Sequence, residues 1–382
     1  MVDISLTEEQ ISMQKMARDF TNKEIVPIAK VLDQGDGMEF NWEIYRKLAN
    51  NNFNALMIPE SYGGLGLDCL SSAVIVEELA VGCAAISFIS TSNFVTAYPI
   101  MLAGSDVQKK DYLPFFCDKA SPKLSAFALT EPNAGSDVSA VETTARLVGN
   151  HYILNGRKCF ISNADLASLY IVFASTNKSL GVKGITAFII PGDSPGIHHG
   201  KIENKMGFRA SHTAELILDD VGVPQSNLLG KEGAGFKIAV KGLDLARILT
   251  GGAISVGVAR AAYEVALQYS KERIQFGKPI FENQVISFML ADMATLIEVS
   301  RLLVWKAAYL MDKNLPFTKE AAMGKVFSSD AAMKITTDAV QILGGYGYMK
   351  DFPVEKYMRD AKLLQIYDGT NQIQRVVISN LL

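Results

Sequence analysis

Residues 146 to 161 read Arg-Leu-Val-Gly-Asn-His-Tyr-Ile-Leu-Asn-Gly-Arg-Lys-Cys-Phe-Ile. Three short β-forming runs are separated by Gly149-Asn150 and Asn155-Gly156. Asn-Gly between β-formers is a strong two-residue hairpin signal, so the spacing predicts consecutive hairpins here. Further β-runs at 170–174, 185–190 and 215–218 are punctuated by Gly and Pro. Residues 123–232 therefore read as a small antiparallel β domain.

The flanks have helical period. Thr7-Glu-Glu-Gln10 has the form of a capping box. Met13, Met16, Ala17 and Phe20 then fall on one helical face, with Pro27 expected to end or kink the helix. Helical stretches follow at 71–81 and 107–116. Beyond Gly233-Ala-Gly235, residues 236–270, 283–310, 318–343 and 372–381 read as four long helices. The expected class is α+β: an N-terminal α domain (1–122), the β domain (123–232) and a C-terminal helical bundle (233–382).

Composition excludes several function classes. Net charge is −3, from 37 basic and 40 acidic residues, which gives no global attraction for nucleic acid or an anionic membrane. No unbroken run of eighteen apolar residues occurs, so no membrane span is expected. The start, Met1-Val-Asp-Ile, lacks the basic and apolar regions of a signal peptide, and a cytoplasmic protein is expected. Cys69, Cys83, Cys117 and Cys159 form no C-x-x-C pair, so neither a disulfide framework nor a metal site is suggested. Gly63-Gly64-x-Gly66 is too weak a pattern for a phosphate loop, and His198-His199 reads as surface.

Phe127-Ala-Leu-Thr-Glu-Pro-Asn-Ala-Gly-Ser-Asp-Val138 ends a strand in a turn offering backbone N–H groups and the hydroxyls of Thr130 and Ser136. Thr130 to Asp137 resembles the T-E-P-x-A-G-S-D block of the acyl-CoA dehydrogenase family. The resemblance continues through Lys158-Cys-Phe-Ile-Ser-Asn163, Lys205-Met-Gly-Phe-Arg209, Glu272-Arg-Ile-Gln-Phe-Gly-Lys278, Gln341-Ile-Leu-Gly-Gly-Tyr-Gly347, Met358-Arg-Asp-Ala361 and Ile366-Tyr-Asp-Gly-Thr-Asn-Gln-Ile-Gln374. These blocks span nearly the whole chain in order.

The resemblance implies FAD as cofactor. Phe127, Leu129, Thr130, Gly135 and Ser136 would line one side of it, and Phe160, Ile161 and Ser162 the other, with the Ser162 hydroxyl near flavin N5. Thr370 and Gln372 would also contact it. Arg273, Gln275 and Phe276 would reach the FAD of a neighbouring subunit, and Gln341 and Gly345 would hold its adenosine-diphosphate half. A shared site implies an oligomer, in this family usually a homotetramer. Ser136, Leu243, Asp244, Arg247, Tyr367 and Gly369 would contact the acyl-CoA substrate. Apart from the resemblance, Arg247 and Arg273 read as helix-surface charges. Electron-transferring flavoprotein is the implied electron acceptor, although Phe160 stands where relatives often have Trp beside the flavin.

The implied base is Asp368. Most relatives carry Glu in this slot, and others carry it on the helix after the β domain, where this chain has Ala246. Asp is shorter by one methylene, about 1.5 Å. One subgroup with Asp here acts on alicyclic esters, so cyclohexane-1-carboxyl-CoA is the expected substrate, with a short- or branched-chain acyl-CoA as the alternative. Residues 82–97, the expected acyl pocket, contain no Lys, Arg, Asp or Glu. That argues against a glutaryl substrate and against the cyclohexene ester. A flavin acyl-CoA oxidase and a non-catalytic CoA-binding protein stay open on sequence alone.

Overall fold

A computed structural model describes residues 5–35, 37 and 39–382. The chain runs through six helices, a β unit and a second helical region. The first helices are α1 (Glu8–Phe20), α2 (Val26–Gln34), α3 (Trp42–Asn50), α4 (Cys69–Gly82), α5 (Ala84–Ala103) and α6 (Asp106–Tyr112). The Thr7 capping box forms as the sequence predicts. Pro27 does not stop the helix. The chain widens into a π-helical turn at Thr21–Ile25, and Pro27 sits in the first turn of α2, where its missing N–H costs little. The helix expected over 107–116 ends at Tyr112, and Pro114 opens a separate 3₁₀ turn.

The β unit comprises β1 (Leu124–Ala128), β2 (Thr144–Val148), β3 (His151–Ser162), β4 (Ala167–Ser175), β5 (Ile185–Pro191), β6 (Ile197–Ile202), β7 (Thr213–Pro224) and β8 (Leu228–Leu229). The sheet order is β6-β7-β3-β2-β4-β5-β8, with β1 added beside β4. Two details differ from the sequence reading. The sheet is mixed, because β1 and the end of β2 pair with β4 in parallel. Only Gly149-Asn150 turns the chain, with Gly149 at φ 62° and Val148 opposite His151. Asn155-Gly156 lies inside the continuous β3 at a register shift. There the Asn155 amide exchanges hydrogen bonds with Asp220, and a Cβ on residue 156 would sit 2.4 Å from Thr143 Oγ1. Close approach of Thr143, not turn geometry, explains the glycine.

The C-terminal region contains α7 (Gly235–Ala246), a π-helical turn at Arg247–Ala253, and α8 (Ile254–Glu272), stacked as one continuous rod. A β9–β10 hairpin (Ile274–Gln275, Lys278–Pro279) leads to α9 (Gln284–Asp312), α10 (Thr318–Leu343), α11 (Val354–Leu364) and α12 (Asn371–Ser379). The helix α11 is additional to the four expected. The N- and C-terminal helices share one core, in which residues of α4 and α5 pack with those of α8, α9 and α10. Buried Glu77 and Glu78 of α4 reinforce it, paired with Arg18 of α1, Arg260 of α8 and Arg301 of α9. Two helical stretches, Ala84–Ala103 and Gly235–Glu272, are long and apolar enough to span a bilayer by length and composition. Both serve as core: 72% and 94% of their most apolar windows are buried. All four cysteines are free thiols.

Candidate active site

The loop between α11 and α12 carries Tyr367, Asp368, Gly369 and Thr370. Asp368 and Gly369 are both left-handed, at φ 55° and 87°. That reversal turns the carboxylate back against the α7–α8 rod. Its Oδ2 forms a short hydrogen bond with the Thr250 hydroxyl, and Tyr367 Oη donates to Thr250 O at 2.5 Å. Beneath the loop lies Lys325 of α10, fully buried, whose Nζ donates to Gly369 O at 3.0 Å and Asn371 Oδ1 at 2.8 Å. Gln374 Nε2 donates to the carbonyls of Asp368 and Gly369, and Thr370 caps α12 through Ile373 N. The backbone N–H of Asp368 has no hydrogen-bond partner among the described residues.

Electrostatics follow from this packing. Burial pushes the Asp368 carboxyl above the usual carboxylate range, opposed by the Thr250 hydrogen bond and the charges of Lys325 and Arg247. Burial pulls the Lys325 ammonium down to about 8, opposed by Asp368 and Asp330. Arg247 is 3% exposed, which rules out the surface reading of that residue. Its guanidinium pairs with Asp244 at 2.5 Å, and its Nε is a buried donor without a partner among the described residues. Asp244 is itself fully buried and also accepts from Thr318 Oγ1 at 2.7 Å, so internal partners occupy its carboxylate. Leu243, on the same turn of α7, is half-buried.

An aromatic trio closes one side. Phe88 of α5, Phe208 of the β unit and Tyr367 have ring centroids 5.7–5.9 Å apart. Phe208 N also donates to the buried Asp360 of α11, and a Cβ on Gly207 would meet the Arg359–Asp360 backbone at 2.7–2.8 Å. All three regions of the chain thus meet at Tyr367, the residue before Asp368.

A second cluster lies on the β unit. Phe127, on β1, stacks near Phe173, and Leu129 is buried just beyond the strand. Cys159 N donates to Thr130 O at 3.0 Å, which ties the 130–136 turn to the end of β3. Below this junction the fully buried Lys158 reaches Glu131 at 2.7 Å, Leu129 O and Phe173 O. A register shift between Lys158 and Ile161 throws Phe160 into φ 56° and leaves its ring 65% exposed, while Ile161 points into the core. Ser162 and Thr130 are half-buried and Ser136 is exposed, and among the described residues nothing lies within 4 Å of a Cβ built on Gly135. Accessible hydroxyls on the turn after β1 and at the end of β3, with the exposed Phe160 ring on that same strand, fit a flat heterocycle.

Arg273, Gln275, Phe276, Gln341 and Gly345 are all exposed. Phe276, at the tip of the β9–β10 hairpin, is 97% exposed. Arg273 lies over the Tyr346 ring at 5.6 Å, joining the hairpin to the turn after α10. Gln372 is exposed in the first turn of α12. Sequence reasoning missed Thr250, Lys325 and Asn371. The one available signal was Lys325 itself, a charge directly after the apolar stretch Ala321-Ala-Met-Gly324, whose alanines and glycine are buried.

The comparisons agree along the whole chain. Family models for the N-terminal, middle and C-terminal domains of acyl-CoA dehydrogenase match residues 7–120, 126–221 and 233–382. A Bacillus subtilis "Acyl-CoA dehydrogenase" is 47% identical over 99% of this chain and 98% of its own. Butyryl-CoA dehydrogenase from Megasphaera elsdenii superposes with a TM-score of 0.96 at 44% identity, covering 100% of this chain and 99% of its own. A chain from a structure described as electron transferring flavoprotein of Acidaminococcus fermentans also gives 0.96, at 47% identity over 100% of this chain and 99% of its own. The chain belongs to the acyl-CoA dehydrogenase family and is an FAD-dependent oxidoreductase.

Proposed function

We propose that this enzyme dehydrogenates a short, straight-chain acyl-CoA such as butyryl-CoA across Cα–Cβ, with Asp368 as the base. The observation that carries this reading is the Asp368 loop. It presents one carboxylate of raised proton affinity and one unpaired backbone N–H from the same residue. A thioester α-proton is weakly acidic, so abstraction needs the carbonyl oxygen polarised as the proton leaves. The Asp368 N–H donates to that oxygen, while the carboxylate takes the α-proton and becomes a carboxyl. The electron pair released at Cα enters the new Cα–Cβ double bond. FAD, when bound, supplies the acceptor for the hydride leaving Cβ. Thr130, Ser136 and Ser162 would hold it by their hydroxyls, with the exposed Phe160 ring against it. The Phe88–Phe208–Tyr367 trio keeps water from the reacting carbons.

The preference for a short chain is supported by the full-length likeness to a butyryl-CoA dehydrogenase. It replaces the alicyclic ester as the leading reading. The shorter Asp at 368 is the observation that keeps cyclohexane-1-carboxyl-CoA as the second. Electron-transferring flavoprotein is the proposed acceptor, and a homotetramer the proposed assembly, with the exposed Phe276 hairpin reaching a neighbouring subunit's FAD. Anaerobic flavin bleaching tests the substrate. Bleaching by butyryl-CoA at the faster rate supports the short-chain reading, whereas bleaching by cyclohexane-1-carboxyl-CoA alone would overturn it.

A further inference from the structure

Thr250 sits in the π-helical turn of the α7–α8 rod, 1% exposed, and touches the base loop with two groups. Its carbonyl accepts from Tyr367 Oη, and its hydroxyl shares a short hydrogen bond with Asp368 Oδ2. The same hydroxyl lies 2.7 Å from Ala246 O. A threonine hydroxyl has one proton to donate and lone pairs to accept with. Two proton arrangements are therefore available around one set of heavy atoms. When Asp368 is ionised, Thr250 donates to the carboxylate. When Asp368 is protonated, the carboxyl donates to Thr250, and Thr250 donates to Ala246 O.

The turn that holds Thr250 is fixed by its neighbours. A Cβ on Gly251 would stand 2.6 Å from Lys325 Cγ, and one on Gly252 2.8 Å from Val304. Close packing of α9 and α10 on this turn leaves Thr250 little room to move. We infer that Thr250 is the positioning residue of the base: it fixes the Asp368 carboxylate before abstraction and accepts the hydrogen bond of the new carboxyl afterwards. The inference rests on Asp368 being the base. It explains how a base one methylene short keeps its place, since a second residue carries the carboxylate from the side opposite the loop.

The other groups facing Asp368 are Lys325 of α10, with Asp330 behind it, Arg247 of the π-turn, paired with Asp244, and the Tyr367 phenol. None of these is altered by a change at 250, so the Thr250 contribution can be read separately.

The test is Thr250→Val, which removes the hydroxyl and keeps the shape, against Thr250→Ser, which keeps the hydroxyl. Anaerobic flavin reduction of the holoenzyme by butyryl-CoA is followed across pH. Thr250→Val loses both bonds, but the one to the carboxylate is charge-assisted and the stronger, so the net effect favours the protonated form. The rising limb should therefore move up by roughly one pH unit, about tenfold in rate on that limb. KM should be unchanged, and Thr250→Ser should restore the limb. An infrared titration of the carboxyl band absent from Asp368→Asn should move in the same direction, independently of turnover. Thr250→Ala leaves space instead of filling it, and the same shift is required from whichever variant retains FAD. A limb and a carboxyl titration unchanged from wild type overturn the role of Thr250. Normal flavin reduction by Asp368→Asn would instead overturn the base assignment beneath it.

Discussion

Lys325→Met removes a cation from beneath the base loop and keeps most of the volume of its stem. The lysine is fully buried and its pKa falls from 10.5 to about 8, so holding it charged below pH 8 costs the fold about 3 kcal/mol. Against this stand its bonds to Gly369 O and Asn371 Oδ1, at about 1.5–3 kcal/mol each for a charged donor. Both acceptors keep a second donor, Gln374 Nε2 and Ser329 Oγ, so the lower figure applies. The two sides nearly cancel. The variant should lose about 0–2 kcal/mol, a melting shift of a few degrees or less in a chain of this size. Activity should respond far more. Asp368 loses a cation that favours its ionised form, and its loop loses two tethers. A displacement of about 1 Å at a reacting group costs on the order of a hundredfold. The pH sign is also fixed. Because the folded pKa is depressed, the penalty is full below pH 8 and fades as pH rises towards 10.5. Wild type should therefore gain on the variant by about 3 kcal/mol over that window. Denaturation of the holoenzyme followed by flavin fluorescence, with stopped-flow flavin reduction, checks both halves. A variant destabilised by about 5 kcal/mol whose folded fraction reduces at the wild-type rate would refute the reasoning.

Two further outcomes follow from packing and charge. Gly156→Ala should cost about 2–3 kcal/mol, because its Cβ would meet Thr143 Oγ1 at 2.4 Å and Thr143 Cα at 2.7 Å; wild-type stability in urea would contradict this. Asp312 accepts from Cys69 N and Leu70 N at the start of α4, and burial raises its pKa to about 6. A raised carboxyl stabilises the fold below its unfolded value and loses that contribution as pH rises from 3.8 towards 6. Relative to Asp312→Asn, wild type should therefore lose about 1–2 kcal/mol between pH 4 and 7, allowing for partial solvent screening. A constant difference would count against it.

Local signals read well wherever the answer was local. The Thr7 box, the Gly149-Asn150 turn and the long helices of the C-terminal region depend on neighbours within a few residues. Asn155-Gly156 misled because Asp220, 65 residues away, satisfies the asparagine amide, and Thr143 needs the glycine's missing Cβ. The helix α11 was hidden because its first turn follows Pro353 and its polar face is long; its inward residues Val354, Ala361 and Leu364 are few. Asp368 and the proposed flavin-contact residues of the β unit were singled out through family blocks. Thr250 and Lys325 were not, because their importance comes from meeting a loop 118 and 44 residues away. The shared core of the first and last helical regions was equally invisible to a reading that treated them as separate domains.

The left-handed backbone at Asp368 gives this position a residue preference of its own. Asp and Asn enter that region more readily than other side chains with a Cβ, because a short polar group can bond locally. An Asp in place of a Glu here gives up reach but relaxes the backbone. The same preference makes Asn the cleanest replacement for removing the charge, since it keeps both shape and backbone. Ala at 368 would mix a lost base with a strained turn.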